Sequence, residues 1–263
     1  MMRLLATSTA VALAAASLGL SSCSLAVGSL GPYDSADAAS APFCASLSPA
    51  PQLCADFDEG KPTNAGWSSV FSTGGGTLAL QPGIDVSPPA SLAAKTPSFT
   101  VPTQNEPTAG LSYDFVGQAR TVHLQSQIRV AAIGPDQCFV ALAIAQQQAG
   151  GGPYLQAQLF VCAGHAFAQE QNNTCGCQPN DNGFAGTFAP GSWHRFAIEV
   201  ALGSTPSMTV WVDDPSTPVL AAVPLAYGWQ AAPFSVNVGI GYIGGGKGEG
   251  IEAGFDDVEA YVR

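Results

Sequence analysis

Apolar residues recurring at every second position constrain this chain more than any other feature of its sequence. In TVHLQSQIRV (121–130), Val122, Leu124, Ile128 and Val130 alternate with His123, Gln125, Gln127 and Arg129. YLQAQLFV (154–161) sets Leu155, Ala157, Leu159 and Val161 against Tyr154, Gln156, Gln158 and Phe160. WHRFAIEV places Phe196, Ile198 and Val200 inward, with Arg195 and Glu199 outward. SMTVWVDD repeats the pattern with Met208, Val210 and Val212, leaving Trp211 outside. A period of two belongs to strands with one wet face. The clusters STGGG, AIGPD, QAGGGP, PNDNG, DDPSTP and GGGKGEG read as turns between such strands, and 30 glycines and 20 prolines fit a chain with many of them. The fold class implied is all-β, a two-sheet antiparallel sandwich, and residues 44–263 are of a length for one such domain.

The N-terminus follows a different logic. Arg3 precedes an apolar run rich in Ala and Leu from Leu4 to Leu20, the pattern of an export signal spanning residues 1–22. Leu20-Ser21-Ser22-Cys23 resembles the bacterial lipobox, which implies cleavage before Cys23 and acylation of that residue. Ser24 in the next position resembles lipoproteins carried on to the outer membrane or cell surface, and the acyl chains would be the only membrane contact. Residues 23–43 then read as the acylated cysteine and a flexible tether rich in Ser, Ala, Gly and Pro, with a reach of about 25 Å.

Assigning Cys23 to lipid leaves six cysteines, an even number suited to disulfides in an oxidising compartment. Cys44 and Cys54 are expected to bridge locally. Cys138 and Cys162 lie equidistant from Gly150 in an expected hairpin, but pairing with Cys175 or Cys177 is equally open. A zinc site on Cys175, Cys177 and His165 is the sharper reading, weakened by a C-x-C spacing where C-x-x-C is usual.

LCADFDEG (53–60), Trp67 and GGTLAL open the domain, and GFDDVEAY (254–261) closes it. With SWHRFAIEV and MTVWVDD between them, these motifs resemble the concanavalin A-like lectin/glucanase superfamily, especially bacterial laminin-G-like domains. The resemblance spans roughly residues 52–263 and implies a jelly-roll sandwich. Simple alternation puts Asp256 on the same inward face as Val258, Ala260 and Val262. Asp256 also matches a closing-strand aspartate that in related glucanases helps bind a structural calcium, with Asp58 the partner by family position. The alternative is that Asp256 accepts backbone N–H bonds.

The glucanase branch carries E-x-D-x-x-E on one strand, the close carboxylate pair of a retaining glycosidase. No E-x-D occurs here, the three histidines form no H-E-x-x-H, and G-x-S-x-G is absent. The expectation is a protein without enzymatic activity. A net charge of −11 with eight basic residues excludes a nucleic-acid partner. The outward positions Gln125, Gln127, Arg129, Tyr154, Gln156, Gln158, Arg195 and Trp211 are of the types that stack on sugar rings and hydrogen-bond hydroxyls. The leading expectation is therefore a surface-anchored noncatalytic module for polysaccharide or glycoprotein. An envelope adhesion protein binding other proteins, and a divergent polysaccharide hydrolase or lyase, are the alternatives.

Overall fold

A computed structural model describes residues 42–100, 106–147, 154–173, 179–244 and 247–263. The signal, Cys23, most of the tether, and Cys175 with Cys177 lie outside the described residues. After one helical turn, Phe43–Ser46, the early strands are β1 (Leu53–Ala55), β2 (Ser69–Thr73), β3 (Thr77–Pro82), β4 (Ala90–Lys95), β5 (Phe99–Thr100) and β6 (Thr108–Asp114). The long central strands follow: β7 (Thr121–Ala132), β8 (Cys138–Gln147), β9 (Tyr154–Cys162), β10 (His165–Asn172), β11 (Asn180–Thr187) and β12 (Trp193–Ala201). The last are β13 (Ser207–Val212), β14 (Leu220–Pro224), β15 (Phe234–Ile240), β16 (Ile243–Gly244), β17 (Lys247–Gly248) and β18 (Glu252–Val262).

Two antiparallel sheets carry nearly all of these strands. The first has the order β14-β13-β12-β7-β18-β4-β3, with β1 on the far half of β18. The second has the order β11-β10-β9-β8-β15-β6-β2, with β16 on the start of β8. The inward residues read from the alternation in β7, β9 and β12 are all buried in one core. Phe139, Phe196, Phe234 and Phe255 are its largest fully buried side chains, each stabilising by about 1.5–3 kcal/mol relative to exposure. Cys44–Cys54 and Cys138–Cys162 are the disulfides formed among the described residues. The second joins directly opposed residues of β8 and β9.

Two readings of the sequence are corrected here. PNDNG is not only a turn, since Asn180 begins the edge strand β11. The parity assigned to Asp256 is also reversed. Phe255 lies in the core opposite Ile128, so Asp256, opposite Gln127, points to the outer face. A β-bulge then sets Asp257 and Val258 against Ser126 alone, and Asp257 takes φ 48°. The extra residue returns Val258 and Ala260 to the core. Asp256 is nevertheless fully buried, because loop 84–89 folds over it.

Candidate functional site

The outer face of the second sheet holds a groove of about 500 Å³. Strand register arranges the side chains of this face in rows that cross the strands, and Val140, Tyr242, Gln158, Ala143, Asn237 and Ser112 from those rows line the groove. One row is aromatic: Phe184 of β11 lies opposite Phe167 of β10, and Phe167 lies opposite Phe160 of β9. Phe160 faces Val140 of β8, whose backbone bonds to that of Tyr242. The Phe160 and Phe167 rings stack with centroids 4.6 Å apart, and Tyr242 meets Phe160 edge-on.

The adjacent row is polar. Gln169 opposes Gln158, Gln158 opposes Ala143, Ala143 opposes Asn237, and Asn237 opposes Ser112. Gln158 donates to Gln156 and, at 3.1 Å, to Gln171 on the neighbouring strand. Its own Oε1 is buried with no partner, although the residue lines the groove and is only 3% exposed. An unpaired buried acceptor costs about 1–3 kcal/mol.

A glycine pair shapes one wall. Gly110 and Gly239 are cross-strand partners, and a Cβ on Gly110 would overlap the ring of Phe71, which lines the groove. Among the described lining residues Tyr242 is the only titratable group. Close by, Glu106 is held by the N–H of Ile243, and burial pushes its carboxyl above the ordinary range.

The eight outward residues expected to form one sugar face do not share a face. Gln156 and Gln158 line this groove. Tyr154 begins β9, and its side chain lies outside the described residues. Gln125, Gln127, Arg129, Arg195 and Trp211 stand on β7, β12 and β13 of the first sheet, whose outer face is on the opposite side of the sandwich. Several of these are occupied there: Arg195 donates to Gln125, and Arg129 Nε donates to the Gly191 carbonyl at 2.7 Å. Trp211 lies 5.8 Å from His123, which stacks on Tyr261 at 4.7 Å. His194 is tied to Asp213 and to the Ala189 carbonyl.

The Asp58–Asp256 pair meets a different geometry from that of two free ligands. Asp256 Oδ2 accepts the N–H groups of Val86 (2.8 Å) and Ser87 (3.1 Å), and Oδ1 accepts that of Asp257 (2.9 Å). Burial, and after it the neighbouring Asp257 charge, push the Asp256 carboxyl up to about 7 against these bonds. Asp58 Oδ1 accepts the Ala90 N–H at 3.1 Å, while its Oδ2 is buried without a partner. Asp58 therefore retains an oxygen for a cation, whereas both Asp256 oxygens face N–H donors.

Sequence comparison finds no matching family model and no matching curated protein. Solved structures do match. An endo-β-1,4-glucuronan lyase from the fungus Trichoderma reesei superposes with a TM-score of 0.58 at 14% identity, covering 81% of this chain and 96% of that one. The fold is a concanavalin A-like jelly roll. The cellulose-induced protein Cip1 shares this jelly roll with a TM-score of 0.53 at 15% identity, covering 79% of this chain and 96% of that one. Alginate lyase vAL-1 from a Chlorella virus shares it with a TM-score of 0.52 at 9% identity, covering 75% of this chain and 93% of that one.

These matches correct the expectation of a protein without activity. That expectation equated missing E-x-D-x-x-E, H-E-x-x-H and G-x-S-x-G motifs with a missing reaction. Two of the three jelly rolls are lyases, and a lyase has no need of a retaining glycosidase's carboxylate pair. Sequence reading also passed over Tyr242, Asn237, Phe167 and Phe184. The alternation in HAFAQEQN (165–172) was the available signal for the β10 members of both rows.

Proposed function

We propose that this protein cleaves an acidic polysaccharide by β-elimination in the groove of its second sheet. The observation that carries the reading is a groove lined by the amides of Gln156, Gln158, Gln171 and Asn237, the ring of Phe71 and one tyrosine, Tyr242. Aromatic faces and amide rows are complementary to the two sides of a sugar ring, one apolar and one bearing hydroxyls. Hydrolysis by paired carboxylates is disfavoured because no carboxylate is among the described lining residues. Elimination asks less: one group to move a proton, and donors to hold a uronate carboxylate as charge builds on it. Asn237 offers amide N–H donors, and Tyr242 moves the proton. The Tyr242 hydroxyl oxygen takes the proton from C5 of the uronate, and the released electron pair forms the C4=C5 double bond. The C4–O bond breaks, and the phenol returns its proton to the leaving oxygen. The lipid anchor expected at Cys23 would hold this activity at the cell envelope.

The test is to incubate the purified protein with glucuronan, alginate and a neutral β-glucan while following ultraviolet absorbance of the unsaturated uronate end. Absorbance should rise on a polyuronate and stay flat on the glucan. Tyr242→Phe should lower the rate by at least about a hundredfold, the usual share of a positioned acid–base group. A flat trace on every polyuronate would refute the lyase reading.

A further inference from the structure

Two aromatic side chains stand out among the described residues as more than half exposed: Tyr242 at 56% and Phe184 at 59%. They occupy the two ends of the aromatic row, with Phe160 and Phe167 stacked between them. Tyr242 belongs to the groove, whereas Phe184 lies beyond it, on the edge strand β11. A phenyl ring in water on an edge strand is a liability for aggregation unless something covers it.

The local backbone holds the ring in place. Gly183 (φ 123°) and Gly186 (φ 117°) flank it in conformations that residues with a Cβ rarely adopt. Two register shifts fall in the same β10–β11 ladder, so the edge strand bends around Phe184. The ring leans on His165, with centroids 6.3 Å apart and planes 23° apart, leaving its other face to solvent. Strand spacing places Phe184 roughly four intervals of 4.8 Å from Tyr242, or about 19 Å across the sheet. Several pyranose rings fit along that length.

We propose that the exposed face of Phe184, backed by His165, is a distal sugar-stacking subsite that grips a polysaccharide chain leaving the groove across β10 and β11. This rests on the lyase reading for the direction of the chain, and it adds a residue that makes the protein prefer long chains to short ones. The ligand class is a pyranose ring presenting its C–H face, and the residue carries no part of the bond cleavage.

The experiment measures KM against chain length for a graded series of uronate oligomers, together with retardation of the protein in gels containing the polymer. Wild type should show KM falling as the chain lengthens past the groove. Phe184→Ala should remove that fall, raising KM on the longest chains roughly three- to tenfold, as expected for one aromatic stacking contact. Phe184→Trp should restore it, and circular dichroism should show both variants folded. A Phe184→Ala curve superimposable on wild type would overturn the subsite while leaving the lyase reading intact. Retardation without cleavage would remove the lyase reading, and the subsite would then stand or fall on whether Phe184→Ala abolishes retardation. Neither cleavage nor retardation by any polymer would dispose of both.

Discussion

Asp256→Asn should change how the stability of this protein responds to pH. In the folded state burial holds the Asp256 carboxyl at about 7, against an ordinary value of 3.8. Between those values the folded protein keeps a proton that the unfolded chain has released. Folding then takes up a proton, and stability falls as pH rises, by up to 1.36 kcal/mol per unit. The contribution is fully present below pH 3.8 and fully lost above about 7. Over that interval it is bounded at about 4 kcal/mol, or on the order of 10 °C in melting temperature for a domain of this size. Asparagine does not titrate. It can keep the bonds from Val86 and Ser87, but its amide would face the Asp257 N–H, costing about 1 kcal/mol. The variant should therefore melt below wild type at pH 4 and draw level with or pass it by pH 7.5. Thermal unfolding followed by circular dichroism in chelator, at half-unit steps, gives the difference curve. Burial raises Asp58, Asp257 and Glu259 as well, so the difference between the proteins, not the wild-type slope, isolates Asp256. Parallel curves would refute the reasoning. A difference running the other way would mean that the carboxylate is ionised and paired in the folded state, and repetition in calcium would show whether a cation does the pairing.

Three further outcomes follow from the packing. Gly110→Ala would overlap both the Phe71 ring and the Val238 backbone carbonyl and should cost about 3 kcal/mol or more in urea unfolding, with impaired turnover because that ring lines the groove. Glu170 is fully buried and accepts the N–H groups of Ala226 (2.6 Å), Tyr227 (2.9 Å) and the Trp229 indole (2.7 Å). Glu170→Ala should cost roughly 3 kcal/mol or more in chemical denaturation, since three donors lose their acceptor, and proteolysis should open first at residues 225–230. Replacing both Cys138 and Cys162 by serine removes a cross-link spanning 24 residues. The loss should be about 3 kcal/mol, read as a lower melting temperature, and reductant should shift the variant less than wild type because, among the described residues, only Cys44–Cys54 is left to open.

The strands were legible because β7, β9, β12 and β13 bury every second residue with no interruption of phase. Two physical facts lay beyond that signal. A period of two reports which side of its own strand a residue occupies, but not which sheet the strand joins. Gln125 and Gln158 therefore looked like neighbours although their faces point away from each other. Alternation also assumes an unbroken pleat, and the bulge at Asp257 breaks it. Aspartate tolerates positive φ better than most residues, but two successive aspartates give no sign of which one will adopt it. Phe184 was hidden by its setting: NDNG beside it carries strong turn chemistry, and the pairing of β11 with β10 overrides it. Glu170 was readable only as an outward or inward glutamate, since its three donors come from a loop more than fifty residues away.

The crossing rows have a consequence for how such a groove changes over time. Each successive position along it is held by a different strand, and strands adjacent in the sheet, such as β8 and β15, are far apart in the chain. A substitution at one outward position therefore edits a single station along the path while the core behind it stays sealed by the alternate residues. Binding preference can drift station by station, as in a lock whose pins are cut separately, without reopening the question of how the sandwich folds.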